Sequence, residues 1–424
     1  MTQTLRRPPN SGPNFYRQLG AASFGTILAQ AISLLSVPVI TRVYDPEDVG
    51  VYAIFMILPN IVIPNLAGKF DVAIPVPRSD AVARQLLGLG AKCIVGITPF
   101  LVVIAVLFRL FRPDQQALGS VFFATMVPSY AALAASLVLM QFVLVRTGDF
   151  FRLGLVRLII ATTTSLASIA FGLLGLESEG LILGACGGQA AALLLIGIWN
   201  KKWLQLRLLE WSNRTTYVLW RFRSFPTVNA TTGVFNSLML IAPFIGIAIY
   251  YDDQVLGWFE LASRIAAAPI MLAGSIIGSV NARKVAELAS TGRRSDRHVF
   301  KVMIRMWSIA LAPVAIVLLF GPEIVALVFG EAWRQAGTYL QYLAPAFAAQ
   351  FVASPLSTTI TSTRNNKLGG YWNIGAFCTL CITILMVGPE GDTSAFFFWI
   401  GAIRFANYVA YQLLILHCAR NPAR

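Results

Sequence analysis

The chain has 424 residues, 57% of them apolar and only 12% charged, with a mean hydropathy of +0.69; that balance excludes an ordinary soluble domain. A formal net charge of +14 would point a soluble protein toward nucleic acid. In a chain this apolar the charge is explained by basic cytoplasmic loops and their attraction to anionic lipid headgroups, so membrane lipid and no nucleic acid is expected as partner.

Twelve apolar segments are predicted to span a membrane, at 19–41, 49–68, 86–110, 118–145, 153–175, 180–199, 226–250, 255–280, 304–322, 338–360, 369–388 and 394–417. Most reach the ~20 residues that a helix needs to cross hydrocarbon. A polar leader of 18 residues precedes the first, and that segment is too long for a signal-peptide core, so no cleavable signal is expected. Of the 33 Lys and Arg, 27 fall in or beside the even-numbered gaps and the termini, and 4 (Arg42, Arg109, Arg112, Arg334) in the odd gaps. Twelve of the 19 acidic residues show the reverse bias. Basic loops stay in the cytoplasm, which places both termini there.

The first span carries Pro38 and closes at Arg42, which either caps the helix C-terminus or lines an outer vestibule. Tyr44-Asp45 follows, and Val49-Gly50-Val51-Tyr52 opens the second span. Pro59 and Pro64 within it are hinge candidates, with static kinks as the alternative. Lys69 and Asp71 mark its cytoplasmic end, as an interfacial anchor pair or as part of a site. Gly184/Gly188 and Gly274/Gly278 are small-residue pairs that permit close helix contact.

Span 7 echoes the start of the chain: Pro243, then Tyr251-Asp252-Asp253, then Leu256-Gly257-Trp258-Phe259. This weak internal repeat predicts an all-α membrane fold of two six-helix bundles, residues 1–212 and 213–424. The bundles would be related by a pseudo-two-fold along the membrane normal, with substrate between them near mid-bilayer.

Charge inside the membrane is expensive and usually faces a cavity. Glu260 and Arg264 are spaced i, i+4 on span 8 and share one face. Arg264 lies roughly 13 Å in from the outer end at the helical rise. The pair is either a cationic contact for an anionic substrate, screened by Glu260, or a structural ion pair. Arg404 lies about ten residues into span 12 with no carboxylate at helical spacing, which suits a cavity wall. Cys378-x-x-Cys381 sits within an apolar span and reads as two small apolar residues; with only two distant histidines, no metal site is expected. Neither a P-loop, a nucleophile elbow nor a paired-carboxylate loop occurs, so a gradient-driven transporter without a cofactor fits better than an enzyme.

Five segments, in order along nearly the whole chain, carry a family resemblance: SVPVITRVYDPEDVGVYAIF (36–55), GKFDVAIPVPRSDAVA (68–83), ELASRIAAAPIMLAGSIIGSV (260–280), FGPEIVALVFGEAWRQAGTYLQYLAP (320–345) and SPLSTTITSTRNNKL (354–368). They resemble the bacterial polysaccharide, or O-antigen-type, flippases of the multidrug/oligosaccharidyl-lipid/polysaccharide exporter (MOP) superfamily. The resemblance implies flipping of undecaprenyl-pyrophosphate-linked oligosaccharide across the bacterial inner membrane by alternating access, for surface polysaccharide synthesis. It also implies a MATE-like pair of six-helix lobes around a central cavity, a coupling proton or sodium ion, and a polysaccharide polymerase and chain-length proteins as partners. Arg42, Asp71, Glu260, Arg264 and Arg404 fall on positions often charged in that family, and an Arg fork suits a pyrophosphate. A multidrug exporter of the same superfamily would favour acidic cavity residues. A lipid II-type flippase usually has 14 spans. A membrane-embedded polymerase or ligase would carry a long periplasmic loop, whereas the longest odd gap here, about 323–337, is short and reads as interfacial.

Overall fold

The computed structural model describes residues 13–111, 121–203, 211–223, 230–291, 293–363 and 365–421. Among them the structure is helical: α1 (Pro13–Val43), α2 (Pro46–Leu66), α3 (Phe70–Ala73), α4 (Asp80–Phe111), α5 (Val121–Thr147), α6 (Phe150–Leu173), α7 (Ser178–Trp199), α8 (Asn213–Arg221), α9 (Ala230–Tyr250), α10 (Asp253–Ser290), α11 (Asp296–Phe329), α12 (Arg334–Leu356), α13 (Thr358–Ser362), α14 (Asn366–Val387) and α15 (Thr393–Arg420). A helix occurs at each of the twelve expected positions. Ten are long and apolar enough to cross a membrane, and Ser237–Tyr250 of α9 forms a shorter apolar helix. The chain is a multi-pass membrane protein.

The remaining helix, α12, is rich in alanine and carries Gln335, Gln341 and Gln350. It packs on α10, α11 and α15, and fourteen of its residues are buried, so it needs no lipid-facing apolar surface. In a bilayer, helix association depends on close packing rather than on hydrophobic burial, and small residues allow it. The opposite case is α11, whose apolar window is only 11% buried. Its Leu319 and Leu327, 68% and 81% exposed, would be liabilities in water and are lipid-facing here.

Close contacts divide the chain into two units, one of residues up to Val43 together with Phe55–Val234, the other of Tyr44–Ile54 together with residues from Phe235 onward. In the first, α1, α6 and α7 pack side by side and α4 packs on α5. A Cβ at Gly184 would lie 2.2 Å from Ser168 Oγ, and one at Gly188 2.0 Å from Thr164 Oγ1, so α7 sits on α6 at a distance that only glycine permits. Arg146, at the end of α5, organises the loop after α3. Its guanidinium donates to the carbonyls of Ile74 (2.9 Å) and Pro77 (2.7 Å) and pairs with Asp80 at 2.7 Å, its side chain 7% exposed. Charge-assisted bonds of this kind are roughly twice as strong as neutral ones. In the sequence Arg146 stands out only as one of the basic residues of an even-numbered gap.

The second unit is organised around aromatic rings, with Tyr339 of α12 stacked on Phe397 of α15 at 3.9 Å and Phe259 of α10 5.7 Å from Phe397. The start of α2 belongs to it. Gly50 and Gly257 make matching contacts there: a Cβ on Gly50 would lie 1.7 Å from the carbonyl oxygen of Asp253, and one on Gly257 1.8 Å from that of Pro46. Each glycine thus meets the residue four positions before the other. Tyr44, in the link before α2, is buried, and its phenol is pushed up to about 12 by burial first and by Asp48 next, so it stays neutral.

Three local features depart from the sequence reading. The loop after span 6 contains α8, capped by Ser212, whose Oγ accepts from Thr215 N–H. Span 8 continues as α10 to Ser290, beyond its apolar part. Span 9 does not stop at 322: α11 kinks at Phe320 (φ −132°, ψ 16°) and resumes to Phe329, with Pro322 in the first turn after the kink, where its missing N–H costs nothing.

Candidate functional site

Of the five charged candidates, Glu260, Arg264 and Arg404 lie in the second unit, and Arg42 and Asp71 in the first. Arg42 is exposed in the last turn of α1, where a cation suits the carbonyl end of the helix. Asp71, in α3, is 5% exposed, and its Oδ1 has no hydrogen-bond partner among the described residues. The backbone immediately before it is left-handed at Gly68 (φ 60°) and Lys69 (φ 57°), which turns the chain out of α2. Pro59 and Pro64 both lie inside α2, which runs on through them to Leu66.

On α10 the i, i+4 spacing forms the ion pair it allows, Arg264 Nη2 donating to Glu260 Oε1 at 2.9 Å, with side chains 37% and 19% exposed. Arg404 on α15 differs. No carboxylate pairs with it among the described residues. Its Nη2 donates to Gln350 Oε1 of α12 at 3.2 Å, its guanidinium lies 5.2 Å from the Phe347 ring centre, and Tyr408 is in hydrogen-bond contact with it. A half-buried cation is thus satisfied by neutral partners only, and its full charge is available to an anion. Beside it is a cavity of about 200 Å³ whose polar lining is Arg404, Gln350 and Ser263 and whose walls include Phe244, Phe259 and Phe347.

Below Arg404 the polar face of α15 continues. Asn407 Nδ2 donates to Thr379 Oγ1 of α14 (3.0 Å), Trp372 Nε1 donates to the Asn407 carbonyl (3.1 Å), and Trp372 stacks on Tyr411 at 3.9 Å. Gln412 accepts from Trp307 Nε1 (3.0 Å) and donates to the Ala349 carbonyl (3.0 Å). These residues stand at i+3, i+4, i+7 and i+8 from Arg404, which is one helical face. In the sequence Arg404 stands out by its charge, whereas this neutral stripe is missed there even though its period is visible.

Comparison by sequence finds no matching family model and no matching curated protein. Comparison of structures does find relatives in fold. An inward-facing multidrug resistance MATE family transporter of the MOP superfamily matches with a TM-score of 0.67 at 15% identity, over 93% of this chain and 96% of its own. The lipid II flippase MurJ, in an inward closed conformation, matches with a TM-score of 0.68 at 12% identity, over 94% and 87%. A MOP superfamily transporter from Pyrococcus furiosus, described as having a binding pocket of reverse polarity that suggests a different function, matches with a TM-score of 0.62 at 14% identity, over 96% and 98%. The fold of this chain is the all-helical fold of the MATE transporters.

Proposed function

We propose that the chain is a transporter that flips undecaprenyl-pyrophosphate-linked oligosaccharide across the bacterial inner membrane by alternating access. The two lobes would be 1–212 and 213–424, and both termini cytoplasmic. The observation that carries the reading is Arg404, an interior cation satisfied by neutral partners and opening on a cavity. A cationic drug would meet repulsion there, whereas a pyrophosphate meets a planar fork of donors. Arg264 with Glu260, and Arg42 with Asp71, are proposed as further contacts along the path. Polymerase and chain-length proteins are proposed partners.

The direct test is movement of a fluorescent undecaprenyl-pyrophosphate oligosaccharide across proteoliposomes containing the protein. Gradient-driven flipping is expected; export of cationic dyes without it would replace this reading by a multidrug exporter. Topology has its own check. In a cysteine-free background, Arg293→Cys should react with an impermeant maleimide only after the inner membrane is opened, and labelling from the periplasmic side would reverse the assignment.

Glu260 has a separate expectation. Held 2.9 Å from Arg264, it screens that cation, so Glu260→Gln should tighten anionic-lipid binding about threefold or more and slow release, while flipping remains gradient-dependent. Loss of flipping together with its gradient dependence would instead make Glu260 the coupling site.

A further inference from the structure

We propose that the second unit holds a composite site for an anionic amphiphile with one isoprenoid chain, Arg404 taking the phosphate head and an apolar groove between α10, α11 and α12 taking the first part of the tail. The class of lipid rests on the reading above; the groove is a separate claim.

The groove has a volume of about 280 Å³, and apolar residues alone line it, Ile265 and Pro269 from α10, Val314 and Val317 from α11, and Ala344 and Phe351 from α12. It shares two wall residues, Ile270 and Phe347, with the Arg404 cavity of about 200 Å³. Phe347 is also the ring over which the Arg404 guanidinium lies, at 5.2 Å. A cation-lined pocket and a wholly apolar pocket therefore share one wall, made by the Phe347 ring and Ile270.

That juxtaposition selects the ligand by its chemistry. A free phosphate needs only the first pocket and leaves the second empty. A diacyl phospholipid brings two chains to a groove with room for part of one. A single-chain phosphate lipid uses both pockets. The rest of a long chain can leave past α11, which presents its outer face to lipid. The tail comes from the bilayer, which is already apolar, so the groove favours it through close packing rather than through removal from water.

The test uses the purified full-length protein in detergent, with undecaprenyl phosphate, phosphatidylglycerol and inorganic pyrophosphate as probes and native mass spectrometry as readout. Val314→Trp fills the groove from one wall and Ile265→Trp from the opposite wall; Leu319→Trp, on the lipid-facing side of α11, is the control. The wild type and the Leu319→Trp control should bind undecaprenyl phosphate about tenfold or more tighter than phosphatidylglycerol. Either groove-filling variant should lose about that factor for undecaprenyl phosphate while inorganic pyrophosphate still binds. Arg404→Ala should lose both ligands. If one filler fails to fold, the other decides. Undecaprenyl phosphate binding that neither filler weakens would overturn the groove and leave the flippase reading standing. Equal affinity for phosphatidylglycerol would overturn the single-chain assignment. A wild type that binds no phosphate lipid would overturn the flippase reading itself.

Discussion

Arg404→Ala should slow the flipping of lipid-linked oligosaccharide in proteoliposomes by about 10- to 100-fold, because a buried charge-assisted contact contributes about 1.5–3 kcal/mol. The variant should still reach the membrane in normal amount. The lost side chain ends in neutral partners, so its removal leaves no opposite charge buried and unpaired; Gln350 Oε1 and the Tyr408 hydroxyl each lose a donor. Arg404→Lys should recover part of the rate, since an ammonium keeps the charge and lacks the planar fork. Arg264→Ala has a different expected signature. It strips Glu260 of its partner at 2.9 Å, and a carboxylate left alone in that setting costs several kcal/mol, so melting temperature should fall along with transport. Wild-type flipping by Arg404→Ala would remove the support on which the proposed function rests.

The largest expected stability effect is at two glycines. Gly50→Ala or Gly257→Ala places a methyl carbon 1.7 or 1.8 Å from a backbone carbonyl oxygen. Backbone on both sides leaves no flexible side chain to yield, so the helix starts must move apart. Overpacking usually costs about 1–3 kcal/mol, and these contacts are tighter than any rotamer change can relieve, so each variant should lie at or beyond the upper end. Gly375→Ala in α14, where nothing lies within 4 Å of the new methyl, is the control and should be neutral or stabilising by up to about 1 kcal/mol. Fluorescence-detected melting of detergent-solubilised protein distinguishes the cases, and equal melting of Gly50→Ala and Gly375→Ala would show that the contact relaxes freely.

Much of the fold was legible because hydrocarbon imposes one requirement on every spanning segment, and apolar length reports it directly. Helix continuation beyond the membrane was not legible by that route. The segment Asn281–Ser290 is helical in α10 but polar, and hydropathy ends where lipid ends. Resumption of α11 after Pro322 is not legible either, because the sequence does not tell a helix-ending proline from one that starts the next turn after a kink. The amphipathic α8 left a readable signature, Ser212-x-x-Thr215 with Val218 and Phe222 following, but nine residues are too few to rise above the basic loop around them. At the site, the Glu260–Arg264 pair is local and followed from spacing. The bonds from Arg404 to Gln350, 54 residues away, and from Arg146 to the loop at 74–80 depend on tertiary placement, which no local pattern encodes.

The glycine contacts at the starts of α2 and α10 have the reciprocity of an isologous interface. Position i meets a partner near j, and j meets the equivalent partner near i, as two identical subunits do about a dimer axis. In this chain both participants are carried on one polypeptide, at Gly50 with Pro46 and at Gly257 with Asp253. A half-length chain bearing one copy of this helix start could make the same contact with its twin. Carrying both helix starts on one polypeptide keeps that geometry without the concentration dependence of a dimer, and it leaves the sequence around each start free to diverge. The two glycines are what such divergence has to leave alone.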